Sequence, residues 1–144
     1  MMLSKVIKDY EGSKEVRKFV RDYTNEIFTY YREQKMLPEH QQNLNFNQRN
    51  SSFLDKMDLL ILMLEEELPK FSFSIFSNCY LTSPRMKKKL SQIALDNAYM
   101  DDSFLSKLQR RIRLRVSELL VLLEIEKEYK KDTGSDLNPT TNDL

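Results

Sequence analysis

Few side chains in this sequence have the types and spacing that catalysis needs. His40 is the only histidine, and no Asp or Cys accompanies it at the spacing of a catalytic or metal-binding motif. Cys79 is the only cysteine, and its neighbours Phe76 and Tyr80 indicate an inert, buried thiol. Residues 65–67 are consecutive glutamates whose side chains diverge around a helix, so they do not resemble the Glu-x-x-His ligands of a di-metal bundle.

The common motifs of nucleotide-binding and hydrolytic enzymes are also missing. The sequence contains no P-loop, no dinucleotide-binding fingerprint and no nucleophile elbow. We therefore predict that the chain is not an enzyme and that it holds no cofactor and no metal ion. An enzyme that uses carboxylates alone is the remaining catalytic hypothesis, and it requires a pocket with two acids whose pKa values differ.

A basic stretch between residues 85 and 115 is the second feature whose side chains are of a type that binds ligands. It holds nine Lys and Arg residues against three Asp residues, although the whole chain has a net charge of only +1. Arginine binds phosphate or carboxylate well because its fork donates two parallel hydrogen bonds. At 100° per residue, however, the arginines from 110 to 115 spread around a helix, so solvation or pairing with neighbouring acids is the alternative. The candidate basic patch consists of Arg85, Lys87, Lys88, Lys89, Lys107, Arg110, Arg111 and Arg113.

Five consecutive apolar residues, 119–123, form the third feature. They cover the whole circumference of a helix, and such a helix must be buried on every side. Either it is central within one domain, or one of its sides meets a partner chain. Likewise, the aromatic segment 71–76 is either part of the core or an anchor for a partner protein. The candidate protein interface consists of Leu119, Leu120, Leu122, Leu123, Phe73 and Phe76.

Composition and periodicity predict the elements that position these residues. Two glycines and four prolines in 144 residues leave little material for hairpin turns, which favours helices. Apolar residues recur at helical spacing after Ser13 and again near 53–68. Residues 70–80 fit either a strand or a short helix, and we favour the helix. A further helix is expected near 84–98, after the Ser83-Pro84 start signal, and a last, long helix near 103–131.

The predicted fold class is all-α, a single-domain bundle of four to five helices with a long C-terminal helix. The domain is expected to span 1–131, with a polar loop at 38–51 and a disordered tail or linker at 132–144. No apolar stretch is long enough to span a membrane, and the lone cysteine suggests an intracellular location, in the cytoplasm or the nucleus.

These features predict a non-catalytic protein–protein interaction module, a subunit or adaptor of an intracellular complex. Its partner would be another protein or a second copy of the chain. The alternative is a nucleic-acid-associated helical domain that uses the basic stretch 85–115.

Overall fold

The computed structural model describes residues 2–37, 48–97 and 101–134. Within these ranges the chain forms seven α-helices and no strand, which confirms the all-α class. The helices are α1 (Leu3–Val6, continued by a 3-10 turn at Ile7–Asp9), α2 (Lys14–Met36), α3 (Gln48–Glu67), α4 (Lys70–Phe76, continued by a π turn at Ser77–Leu81), α5 (Leu90–Asp96), α6 (Asp102–Leu122) and α7 (Ile125–Thr133). The predicted count of four to five was too low, and the C-terminal helix is short.

Helices α2 and α6 are each capped by the side chain that the sequence predicts, and each begins at the predicted position. The hydroxyl of Ser13 accepts a hydrogen bond from the N–H of Val16 at 3.2 Å and so caps α2. Asp101 caps α6 in the same way by accepting from the N–H of Phe104 at 2.7 Å. A side-chain oxygen at this position satisfies an amide that would otherwise have no helical partner.

The predicted long last helix is interrupted after Leu122. Glu124 adopts a left-handed backbone with φ 57°, which ends α6 and starts α7 in a new direction. The turn lets Ile125 and Tyr129 of α7 enter the core, where both are buried. Apolar periodicity continues across 124, so it does not reveal a one-residue break.

The helix expected near 84–98 is reduced to α5. Thr82 donates its hydroxyl to the carbonyl of Ser77 at 3.0 Å, so it closes the preceding π turn rather than capping a new helix. The side-chain amide of Asn78 then holds the backbone of Lys88 at both its N–H and its C=O, each at 2.9 Å. These contacts occupy backbone groups that a helix through Lys88 would need.

The other predicted boundaries agree with the structure in part. Residues 48–51 of the predicted polar loop belong to α3, and 38–47 lie outside the described residues. Residues 70–76 are helical, as favoured over the strand. α7 extends to Thr133 and ends at Gly134 in a left-handed conformation (φ 78°), while 135–144 of the predicted tail lie outside the described residues.

One core joins the helices, with α2 packed along α6 and α3 packed along α7. Its aromatic rings make edge and tilted contacts, such as Phe28 with Tyr80 at 4.9 Å and Tyr30 with Phe53 at 5.2 Å between ring centroids. The largest fully buried side chains include Tyr10, Phe28, Phe53, Met57, Leu60, Leu64, Phe76, Tyr80 and Leu105.

Candidate functional site

The apolar run at the end of α6 is divided between core and surface. Leu119 and Leu120 are fully buried, and Leu123 is half-buried. Leu122 is 65% exposed and is the one residue of the run that projects into solvent. Most of the predicted interface is therefore core, because α6 is covered on several sides by its own chain.

The aromatic segment of α4 is also mainly core. Phe76 is fully buried and its ring lies 5.8 Å from that of Phe28 and 5.5 Å from that of Tyr80. Phe73 is half-buried, with its ring 5.6 Å from that of Phe76. Neither ring is available as a protruding anchor for a partner.

Sequence reasoning missed an exposed apolar stripe on α3. Leu59 and Leu62 are 45% and 51% exposed, and Asp55 and Glu66 continue the same face at each end. The spacing i, i+4, i+7, i+11 places all four on one side of the helix, opposite the buried Met57 and Leu64. The available signal was the run of six apolar residues at 59–64, which covers the helix as fully as 119–123 does. We call these four residues the α3 stripe.

Two ion pairs fix α3 relative to the last two helices. Lys56 contacts Glu128 of α7 at 3.5 Å, and Arg115 of α6 contacts Glu67 at 2.6 Å. The two contacts show that α3 runs antiparallel to the chain from 115 to 128. Leu122 lies on α6 between Arg115 and Glu128, the two residues that form these ion pairs with α3.

Three members of the predicted basic patch make side-chain contacts within the chain. Lys88 pairs with Asp96 at 3.0 Å. Arg110 binds Glu11 at 2.7 Å, while Arg113 donates to the hydroxyl of Tyr80 at 3.2 Å. Lys88 is exposed, and so are the remaining members: Arg85, Lys87, Lys89, Lys107 and Arg111.

Arg110 and Arg113 instead join basic residues of α2 around a cavity of about 540 Å³. These α2 residues, Lys14, Arg17, Lys18 and Arg21, were not predicted as part of a site. Their spacing of i, i+3, i+4 and i+7 on a predicted helix was the signal that could have found them. We call this feature the α2/α6 basic cavity, and Tyr10 and Ser106 also line it.

The phenols beside Arg113 reflect the low polarity of this region. Burial raises the pKa of Tyr10 and of Tyr80, and the neighbouring Arg113 guanidinium partly opposes that increase. Burial likewise disfavours the charged form of Arg113, but its contacts with the two phenols raise its pKa overall. Arg113 is therefore a charged group in a largely desolvated position.

The described residues offer little for catalysis or metal binding. Cys79 is buried, and its sulfur accepts a hydrogen bond from the side-chain amide of Gln109 at 3.0 Å. His40 lies outside the described residues. Within the described ranges, no cluster of three or more His, Cys, Asp or Glu side chains has an arrangement that could hold a metal ion.

None of the described helices combines the length and apolar character needed to cross a lipid bilayer. Comparison with known protein families, with curated proteins and with solved structures finds no significant match to this chain.

Proposed function

We propose that this chain is a non-catalytic protein–protein interaction module and that the α3 stripe docks an amphipathic helix of another protein. The observation that carries the proposal is the exposure of Leu59 and Leu62, 45% and 51%, at the centre of a helix whose opposite face is buried. Helix-in-groove recognition uses apolar anchors at this spacing. Full burial of a leucine contributes about 2 kcal/mol, so two anchors add materially to an interface.

The charges around the stripe specify the kind of partner. Asp55 and Glu66 stand at its ends, and Glu65 is exposed beside it. A partner helix with apolar residues on one face and Lys or Arg at the rim matches both the shape and the charge. The same stripe on a second copy would bring carboxylates against carboxylates, which disfavours symmetric self-association.

A defined peptide provides the direct test. A synthetic amphipathic helix with a leucine face and a lysine rim should bind the full chain, measured by fluorescence anisotropy of a labelled peptide. A peptide with the same leucines and a glutamate rim should bind at least about tenfold more weakly, because its charges repel those of the stripe. Equal binding of both peptides would show that the acidic rim has no part in recognition.

Matched variants locate the binding surface. The double substitution Leu59→Ser with Leu62→Ser should reduce binding of the lysine-rimmed peptide by at least about tenfold. Leu95→Ser is the control, because Leu95 is 77% exposed on α5, away from the stripe. An equal loss in the control would mean that exposed leucines attract the peptide non-specifically, which contradicts the proposal.

The natural partner can be sought with the same variants. The tagged chain is purified from its native cells with and without nuclease treatment. A stoichiometric protein that survives nuclease and is lost only with the Leu59 and Leu62 variant supports the module and identifies its partner. Recovery of a second copy of the chain as the only partner would replace the proposed heterologous contact with self-association.

A nucleic-acid-associated role for the stretch 85–115 is the alternative function. Six exposed basic residues of that stretch support it, although they lie both on α6 and in the segment before α5. Binding of this kind weakens steeply with salt. Replacing Lys87, Lys88 and Lys89 with Glu should then abolish it, and partners that vanish on nuclease treatment would favour it over the α3 stripe.

A further inference from the structure

The α2/α6 basic cavity is lined by more positive charges than the nearby carboxylates neutralise. Six cations line it: Lys14, Arg17, Lys18, Arg21, Arg110 and Arg113. Among the contacts of these six in the described chain, Glu11 binds Arg110 at 2.7 Å, and Asp22 binds Lys18 at 3.4 Å and Arg21 at 3.2 Å. Within the described part of the chain, Lys14, Arg17 and Arg113 have no carboxylate partner.

Two of those three cations are held in place by uncharged groups. Arg17 donates to the carbonyl oxygens of Tyr10 and Glu11 at 3.0 and 2.8 Å. Arg113 donates to the hydroxyl of the buried Tyr80 at 3.2 Å. These contacts orient the guanidinium groups without neutralising them. Like charges held together in this way repel one another, and a bound anion relieves that repulsion.

Tyr10 links the two walls of the cavity. Its hydroxyl donates to the carbonyl oxygen of Arg110 at 3.0 Å, and its own carbonyl accepts from Arg17. It is almost completely buried, at 1% exposure. The relative position of the α2 and α6 cations is therefore set by the fold, which lowers the entropy cost of binding a ligand that bridges them.

The surroundings favour a compact ligand over a long polyanion. The next face of α2 carries Glu15, Asp22 and Glu26 around an adjacent cavity that shares Lys18, so an extended phosphate backbone crossing α2 would meet carboxylates. The cavity volume, about 540 Å³, lies within the range of small-molecule sites. Arginine forks pair with phosphate through parallel hydrogen bonds, and several cations favour several phosphates.

We propose that the α2/α6 basic cavity binds a small ligand that carries two or more adjacent phosphate groups. Arg17 and Arg113 contact the phosphates from the two walls, and Lys14 contributes charge at the mouth. The site lies on residues other than the α3 stripe, so it stands or falls independently of the proposed protein interface.

Calorimetric titration of the full chain with inorganic tripolyphosphate at about 0.15 M salt tests this proposal. Saturable binding with one ligand per chain is the expected result. ATP and inositol hexakisphosphate are titrated in parallel, because they present clustered phosphates on two different organic groups. Tighter binding of either one identifies the source of the phosphates, and equal affinities show that the phosphates alone are recognised.

Single-charge variants separate the site from a general charge effect. Lys14→Glu should weaken tripolyphosphate binding at least about fivefold, since it replaces a lining cation with an anion. Lys70→Glu changes the net charge equally, but Lys70 is exposed on α4 outside the cavity lining, so this variant should bind tripolyphosphate within about twofold of the unchanged chain. Arg113→Gln should abolish binding while circular dichroism still reports a folded helical chain, and Arg17→Gln is the second variant if Arg113→Gln does not fold.

Three outcomes would overturn the proposal. The first is no saturable binding of any of the three phosphate ligands. The second is an equal loss of affinity in Lys14→Glu and Lys70→Glu, which would show diffuse attraction to the surface. The third is tighter binding of a single-stranded oligonucleotide than of tripolyphosphate, which would assign the basic residues to nucleic acid instead.

Discussion

The backbone N–H of Leu3 donates to both carboxylate oxygens of Glu126, at 3.2 and 3.3 Å. The contact joins the first helix to the last across 123 positions of the chain. Glu126 is only 4% exposed, and Lys130 lies 3.6 Å from one of its oxygens. A buried carboxylate at the start of α1 satisfies an amide that has no partner within the helix.

Replacing this carboxylate should therefore destabilise the whole domain. We expect Glu126→Gln to lower the free energy of unfolding by about 2 kcal/mol, because the Leu3 N–H then donates to a neutral amide oxygen and the buried ion pair with Lys130 is lost. Urea denaturation followed by circular dichroism measures the change. Glu118→Gln is the control, since Glu118 is exposed on α6, and its effect should stay within about 0.5 kcal/mol. Equal effects in both variants would show that the Leu3 contact does not hold α1 in place.

Two leucines two positions apart at the end of α6 should respond very differently to the same truncation. Leu120→Ala should lower the free energy of unfolding by about 2–5 kcal/mol, because Leu120 is fully buried and its loss leaves a cavity. Leu122→Ala should change it by no more than about 0.5 kcal/mol, because Leu122 is 65% exposed. Thermal or urea unfolding provides the comparison. Similar losses at both positions would mean that Leu122 is buried in solution, for instance by association of the chain.

The left-handed residue between α6 and α7 predicts a stabilising substitution. A non-glycine residue in this conformation costs about 1–2 kcal/mol, and glycine avoids most of that cost. Glu124→Gly should therefore raise the free energy of unfolding by about 0.5–1 kcal/mol, after glycine's greater freedom in the unfolded chain is included.

The matched control for this substitution is Glu118→Gly within α6. Glu118 is an exposed glutamate in a regular helix, where glycine should cost about 1 kcal/mol. The two substitutions thus remove the same side chain and are expected to have opposite signs. A loss of stability with Glu124→Gly would contradict the left-handed turn.

The tyrosines should titrate abnormally at alkaline pH. All six tyrosines within the described residues have a raised pKa, chiefly because burial disfavours the phenolate. For Tyr30, burial and the nearby Asp132 carboxylate raise the pKa to about 12. Ultraviolet titration of the folded chain should therefore show little phenolate near pH 10, where tyrosines in urea ionise normally.

These raised pKa values determine how the stability of the fold changes with pH. A phenol whose pKa is higher in the folded state favours folding fully below its unfolded pKa of about 10, and that stabilisation is lost as the pH rises toward 12. We expect a cooperative alkaline transition in which phenolate absorbance and helix loss coincide. Normal ionisation in a chain that remains helical would show that these rings are accessible to water.

The positions of the main helices follow from local chemistry. Ser13 and Asp101 cap α2 and α6 because a short polar side chain can reach the exposed amides of the next turn. The scarcity of glycine and the 3.6-residue recurrence of apolar side chains predict the all-α class for similar local reasons. The Ser83-Pro84 signal does not start a helix, which begins only at Leu90, because the hydroxyl of Thr82 binds the carbonyl of Ser77 in the preceding π turn and Asn78 holds the backbone of Lys88.

The sequence by itself determined the helical class, the caps and the residue types available for binding, because each depends on neighbours within one or two turns. Only the tertiary structure decided which side of each apolar run meets water, since Leu120 and Leu122, or Leu60 and Leu62, differ through the helices packed against them. It likewise brought Arg17 and Arg113, 96 positions apart, to one cavity, while Lys88 lines a different one. Long-range packing makes those choices, and no local pattern of residue types records them.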